Sequence, residues 1–198
     1  MAGRPRGVDD AVILRAVVEV IGRVGPARLT LAAVADEVGL VPGTLVQRFG
    51  SKRGLLLALA ARSVPDAQVL QERAREECDS ALAAVFALAR EWVSDVATPQ
   101  KYANHLALLC MDLTDPEFYE HALAMHRAQR RAIEMLLEAA VSGGELRDGA
   151  DAALLAGSVH AAVAGAGLTW ALDRQGTLAE RVEHEIGTVL APHVRRKS

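Results

Sequence analysis

The sequence predicts an all-α protein of about nine helices, and three observations point there. Apolar residues recur at helical spacing along nearly the whole chain, and no run alternates as a half-buried strand does. Half the residues are hydrophobic but only 4% are aromatic, so Ala, Leu and Val must fill the interior. That filling suits packed helices better than a β-sandwich. Gly, Pro, Ser, Thr and Asp punctuate the apolar stretches where helices would start and stop. The 198 residues are enough for one or two small domains with a real core.

Asp9 and Asp10 can cap a first helix whose inward stripe is Ile13, Val17, Val20, Ile21 and Val24. Gly25-Pro26 ends it. Thr30 is placed to cap a second helix, with Leu31, Val34, Ala35 and Val38 inward and Gly39 as its stop. Leu40-Val41 forms the turn, and Pro42 opens a third helix where proline is tolerated. That helix ends near Phe49-Gly50, too short to be stable without neighbours. Ser51 caps a fourth, carrying Leu55, Leu56 and Leu59.

Residues Asp66–Cys78 either extend the fourth helix past Pro65 or form a separate connector. Asp79–Val96 carries Leu82, Val85, Phe86, Leu88, Ala89 and Val93, and Thr98-Pro99 breaks it. Tyr102–Asp112 is short and apolar; Pro116–Val141 is long and stops at Ser142-Gly143-Gly144. Ala150–Arg174 is rich in small residues. Thr177–Val194 closes the chain with Leu178, Val182, Ile186, Val189 and Leu190 on one stripe.

Charge is unevenly spread. Residues 1–62 hold nine Lys/Arg and five Asp/Glu, net +4; the chain's 22 basic and 25 acidic residues leave 13 and 20 for the rest, net −7. A basic first third on an acidic remainder suggests that one part meets a polyanion. Ala152–Leu172 has no charged residue over 21 positions, long enough to span a bilayer. Eight of the 21 are Ala and three are Gly, with Ser158, His160 and Thr169 among them, so a helix buried in protein is the simpler reading. Cys78 and Cys110 stand far apart without metal-ligand spacing, and the N-terminus has no apolar signal core; a cytoplasmic, reduced protein is expected.

A helix, a tight glycine turn and a short helix make a helix-turn-helix. On a helical wheel, Leu45 and Phe49 anchor the third helix inward, while Gly43, Thr44 and Gln47 face outward, flanked by Val46 and Arg48. These are major-groove groups: Gly43, beside Pro42, allows close backbone approach, Gln47 can pair with an adenine edge, and Thr44 can bond a base or phosphate. Ser51 and Lys52 at the start of the fourth helix, and Arg28 and Thr30 at the start of the second, suit phosphate. Losing Gln47 should relax base preference, whereas losing Lys52 should weaken all sequences alike and flatten the salt slope.

The stretch LTLAAVADEVGLVPGTLVQRFGSKRGLLLAL, Leu29–Leu59, resembles the tetracycline-repressor (TetR) family of bacterial transcription regulators. Thr30, Gly39, Gly43, Thr44, Leu45, Phe49, Ser51, Lys52 and Leu55 match the family pattern in order, and the resemblance covers about the first 60 residues. Two positions depart from it: Val41 stands where the family commonly has a capping Ser or Thr, and Val46 where it has a Tyr. DNA contact then leans more on Arg48, Lys52 and the N-terminal arm, or Val41 and Val46 touch thymine methyls. The arm, GRPRG, resembles the core of an AT-hook, with Arg4 and Arg6 for a narrow minor groove; a basic tail that binds only phosphate is the equal alternative.

The resemblance implies a helix-turn-helix DNA-binding domain over residues 1–60 and a helical effector-binding and dimerisation domain over 61–198. It implies a ligand-responsive repressor that holds a palindromic operator as a homodimer and leaves it when a small molecule binds. The bulky or polar residues on otherwise apolar helices are candidates for the ligand site: Phe86, Trp92, Tyr102, His105, Met111, Met125, Gln129, His160 and Trp170. They suggest a small, largely apolar effector. The small-residue helix and the last stripe suggest a dimer interface containing Val163, Gly167, Leu168, Val182, Ile186 and Val189. No catalytic elbow, P-loop or dinucleotide motif appears, so no enzyme and no cofactor is expected. His105, His121 and His126 lack the spacing of a helical metal pair, so no metal site is expected either.

Overall fold

A computed structural model describes residues 8–195. Nine α-helices run through them: α1 Asp10–Val24, α2 Leu31–Glu37, α3 Pro42–Phe49, α4 Lys52–Glu77, α5 Ala81–Val93, α6 Pro99–Asp112, α7 Pro116–Ser142, α8 Ala152–Asp173 and α9 Leu178–Leu190. A 3-10 turn, Ala191–His193, follows, and a single antiparallel bridge pairs Leu146 with Val194.

The helix starts are chemical as well as positional. The side chains of Asp9, Thr30, Ser51, Ser80, Thr98, Asp115, Asp151 and Thr177 each accept a hydrogen bond from a backbone N–H in the helix that follows. Every such bond satisfies a donor that the helix itself leaves unpaired. Thr177 and Glu180 complete a reciprocal capping box. Val41 has no such side chain, and α3 starts on Pro42 alone.

The structure moves several boundaries. Thr98-Pro99 does not merely break a helix: Thr98 caps α6 and Pro99 is its first residue, so α6 starts three residues earlier than Tyr102. Residues 66–77 extend α4 directly, with Pro65 inside the helix. The missing amide costs one bond there, and packing of Ala67, Gln71 and Ala74 carries the helix onward.

Two buried clusters divide the chain. The first joins Ile13, Val17, Val20 and Ile21 of α1 to Val34, Leu45 and Leu55, and includes Phe118 from α7. Burying each large aliphatic here contributes about 1.5–3 kcal/mol, which is what holds a helix as short as α3. The second is built from α5, α7, α8 and α9, around Leu88, Ile133, Leu136, Leu137, Val159 and Ile186. Helix α4 serves both, with Leu55 and Leu56 in the first and Ala74 in the second.

Helix α8 is long and apolar enough to cross a membrane by length and composition. It is not buried on all sides as its composition suggests. Leu155, Ala156, Val159, Ala166, Gly167 and Trp170 face the interior, against α7 and α9, while Leu154, Leu168 and Leu172 are 68%, 49% and 77% exposed.

Three residues expected at a dimer interface lie instead inside the subunit. Val182 and Ile186 are fully buried in the second cluster, because an amphipathic helix turns its apolar stripe to its own core. Gly167 is buried beneath Tyr102, whose ring a Cβ at this position would strike. Val163 and Val189 are half-buried, and Leu168 remains open.

Candidate nucleic-acid interface and internal cavity

The short helix α3 stands on Leu45, which is fully buried, and on Phe49, which is half-buried. Gly39 makes the turn into it with φ +68, a backbone conformation only glycine adopts without strain. At its other end Gly54 lets α4 start close beneath it: a Cβ there would collide with the carbonyl oxygen of Phe49.

The outward face carries Pro42, Gly43, Val46 and Gln47, all exposed, with Thr44 half-buried at its edge. Nothing lies within 4 Å of a Cβ placed on Gly43. Val41 and Val46 are 67% and 49% exposed, an unusual display of apolar surface beside an amide and a hydroxyl. Among the described residues, neither Gln47 nor Thr44 donates or accepts a side-chain hydrogen bond, so both are available to a partner.

The basic residues behave differently. The Lys52 ammonium donates to the carbonyls of Pro26 (2.7 Å) and Ala27 (3.2 Å), tying the start of α4 to the α1–α2 turn. Arg48 donates to the Val8 carbonyl and to Asp10 (3.1 Å), fastening α3 to the start of α1. Arg28 donates to the Val24 carbonyl at the end of α1 (3.0 Å). The Thr30 and Ser51 hydroxyls accept from Ala33 and Gly54 in their own helices. Arg4 and Arg6 lie outside the described residues.

Behind this head, α1 rests on α6. Asn104 donates to the Gly22 carbonyl (2.8 Å), and Lys101 pairs with Glu19 (2.8 Å). A Cβ on Gly22 would press on His105 and Lys101, both at 3.3 Å, so glycine sets how closely the two helices sit. Burial, then the Lys101 charge, holds the His105 imidazole below its ordinary pKa.

Farther along the same face of α6 opens a cavity of about 740 Å³ between α1, α4, α5, α6, α7 and α8. Its walls are mostly apolar, with Leu56, Leu59, Leu70, Leu108, Leu109, Phe118 and Leu123 among them. Of the expected ligand residues it brings together Trp92, Met125, Gln129 and His160. A neighbouring cavity of about 430 Å³ takes Tyr102 and His105, and shares Trp92 and Gln129 with the first.

Three expected residues sit elsewhere. Phe86 packs against the second core cluster, and Met111 is 47% exposed on the outside of α6. Trp170 is buried, donates its N–H to the Gly176 carbonyl (3.1 Å), and borders a separate hollow beside Thr98 and Pro99.

Polar groups in the main cavity are arranged around His160. It bonds Gln129 (3.1 Å) and meets His126 edge-on, with ring centres 4.7 Å apart. Burial, then the His126 and Arg130 charges, lowers its pKa, so the ring is neutral near pH 7. Trp92 stands edge-on to it at 6.4 Å, with its indole N–H buried and without an acceptor among the described residues.

The sequence reading missed the cavity's acids. Asp66, Glu91, Asp95 and Asp112 all line it. Burial pushes the Asp112 carboxyl up to about 6, helped by Asp115 and opposed by His121. The available signal was a carboxylate at the end of an apolar helix, Tyr102–Asp112, which a search for bulky and aromatic residues passes over.

Comparison with known proteins agrees with this geometry. Residues 13–59 match the model of the tetR family of bacterial regulatory proteins. Among solved structures, the chain is similar to a putative TetR-family transcriptional regulator from Rhodococcus sp. (20% identity, TM-score 0.71, covering 92% of this chain and 96% of that one). It is also similar to SmeT, the repressor of the Stenotrophomonas maltophilia multidrug efflux pump SmeDEF (21%, 0.67, 96% and 92%). A third is a putative transcriptional regulator from Saccharomonospora viridis in complex with choline (21%, 0.72, 94% and 98%). None of the curated proteins compared matches the chain. The family's model thus covers the helix-turn-helix segment, and over nearly its whole length the chain has the all-α fold of solved TetR-family regulators.

Proposed function

We propose that the protein is a cytoplasmic, ligand-responsive repressor that binds a palindromic operator as a homodimer and releases it when a small molecule enters the α4–α8 cavity. The observation that carries this is the position of α6. Its first half holds α1 of the DNA-binding head through Asn104 and Lys101, and farther along the same face Leu108, Leu109 and Asp112 line the cavity. A ligand that shifts α6 therefore shifts the head, and favours whichever head position fits its own bound state. The complex of the Saccharomonospora viridis regulator with choline supports a small molecule as the trigger.

In this reading the head is residues 1–60 and the regulatory domain 61–198, with α4 continuous across the boundary. Gly43, Thr44 and Gln47 read bases from the major groove, with Val41 and Val46 positioned for thymine methyls. The starts of α2 and α4, at Thr30 and Ser51, present backbone amides to phosphate, and Arg28 flanks them. Lys52 and Arg48 act mainly by fixing the head, since their charged groups are engaged within it.

The second subunit would cover the open face of α8. Leu154, Ala161, Gly165, Leu168 and Leu172 follow one helical stripe, and all are exposed. Apolar surface of this kind on a soluble helix marks an association site. Two-fold pairing there would set two copies of α3 against half-sites one DNA turn, about 34–36 Å, apart.

The test is fluorescence anisotropy of the purified protein on its own upstream DNA. A specific, salt-sensitive complex on an inverted repeat, reversed by a cavity ligand, is expected. Absence of any sequence-specific complex overturns the regulator reading for this site. A complex that no cavity ligand loosens overturns the ligand-responsive part.

A further inference from the structure

We propose that the cavity is built for an organic cation, a lipophilic amine or quaternary onium with an apolar body, rather than for a neutral or anionic effector. This rests on reading the cavity as the effector site and goes beyond it by assigning the charge of the occupant.

The lining is lopsided in charge. Among the described residues it holds the carboxyl groups of Asp66, Glu91, Asp95 and Asp112, and no lysine or arginine. Among the described residues only Asp66 has an ion-pair partner, Arg62 at 3.2 Å. The Lys101 ammonium, on α6, is directed to Glu19 and to the Asp95 backbone carbonyl. An anion would enter as one more negative charge in a partly desolvated space, where like charges repel strongly. A cation would offset Glu91, Asp95 and Asp112, which have no ion-pair partner among the described residues.

Aromatic faces point to the same chemistry. Trp92, Phe118 and Tyr119 all line the cavity, and such rings attract a cation when water is excluded. Phe118 already meets a guanidinium within the protein, Arg53, at 5.0 Å from its ring centre. The histidine nearest Trp92, His160, is held neutral and supplies no compensating positive charge. The apolar walls and the 740 Å³ volume suit a drug-sized apolar body attached to the charged centre.

The experiment compares matched ions of opposite charge. Binding of tetraphenylphosphonium against tetraphenylborate, and of dodecyltrimethylammonium against dodecanoate, is measured calorimetrically on the full-length protein. Release of upstream DNA is followed in parallel. Both cations should bind at least about tenfold tighter than their anions. Asp112→Asn should weaken the cations about three- to tenfold and leave the anions unchanged. Should that variant fail to fold, Glu91→Gln on α5 reads the same charge effect. Failure of both cations to bind, equal or tighter anion binding, or cation affinity indifferent to carboxylate removal each overturns the inference. Cation binding that leaves DNA bound upholds the charge assignment and sinks the effector reading. Release of DNA by an anion alone does the reverse.

Discussion

The Arg53 guanidinium, on the first turn of α4, lies 3.0 Å from the carboxylate of Asp115, the residue that caps α7. The same group reaches Glu117 at 3.0 Å and stacks over Phe118. Arg53 is four residues from the end of the recognition helix, and Asp115 is three residues from Asp112 in the cavity. Under the proposed function this contact would be a second route, besides α6, from the cavity to the head. Exposed pairs contribute only about 0.2–1 kcal/mol, so Arg53→Ala should barely change the melting temperature. It should instead reduce the drop in DNA affinity that a cavity ligand causes, measured as the ratio of dissociation constants with and without tetraphenylphosphonium.

Lys52→Ala should lower thermal stability and DNA affinity together. Its ammonium satisfies two carbonyls in the α1–α2 turn, and losing charged hydrogen bonds of this kind costs about 1.5–3 kcal/mol. The slope of log affinity against log salt should stay the same, because the residue is not mainly a phosphate ligand. Gln47→Ala should do the opposite: unchanged melting, and relaxed preference at one base position in a binding-site selection.

Two glycines separate folding from recognition. A Cβ at Gly54 would drive into the Phe49 carbonyl. Gly54→Ala should therefore cost about 1–3 kcal/mol, the range for overpacking, seen in urea unfolding. Gly43 has open space around it. Gly43→Ala should keep the fold and lose DNA affinity, because the added methyl stands between backbone and groove.

The cavity should respond to pH through Asp112. Its folded pKa, about 6, is raised by burial and then by Asp115, while His121 opposes the shift. The folded protein thus holds this proton more tightly than the unfolded chain, so the contribution to stability is present at low pH and is lost as pH rises through about 6. Asp112→Asn should raise the melting temperature at pH 8 and change it little at pH 4. Cation affinity of the native protein should climb from pH 5 to pH 7 and lose most of that climb in the variant.

The open face of α8 should be tested by charge. Leu168→Glu or Leu172→Glu places a carboxylate on the apolar stripe and should shift the species seen by light scattering from dimer to monomer. A charge at Val182 would instead unfold the subunit, since that side chain is fully buried.

How far the sequence could be read depended on whether one residue's chemistry decided the matter. Thr30, Ser51 and Thr177 announce helix starts because a short hydroxyl has few other uses before an apolar stripe. Leu45 and Phe49 were legible because α3 has polar groups on one face and only these two anchors on the other. Helix α8 was not, since both of its faces are apolar and periodicity cannot choose between core and partner. Lys52 was legible as a charge but not as a clasp, because a long flexible stem finds its carbonyls only in three dimensions. The acids of the cavity come from α4, α5, α6 and the segment between α5 and α6, and nothing in their spacing along the chain brings them together.

The engagement of four of the described head's cations within the fold has a consequence for the proposed search along DNA. Arg23 pairs with Glu37, Arg48 with Asp10, Lys52 with two carbonyls and Arg53 with Asp115. Grip on arbitrary DNA comes from basic groups that neutralise phosphate, and these four are already occupied within the fold. If the protein holds an operator as proposed, such a head should leave wrong sites quickly, and a small number of copies per cell would then keep that operator filled.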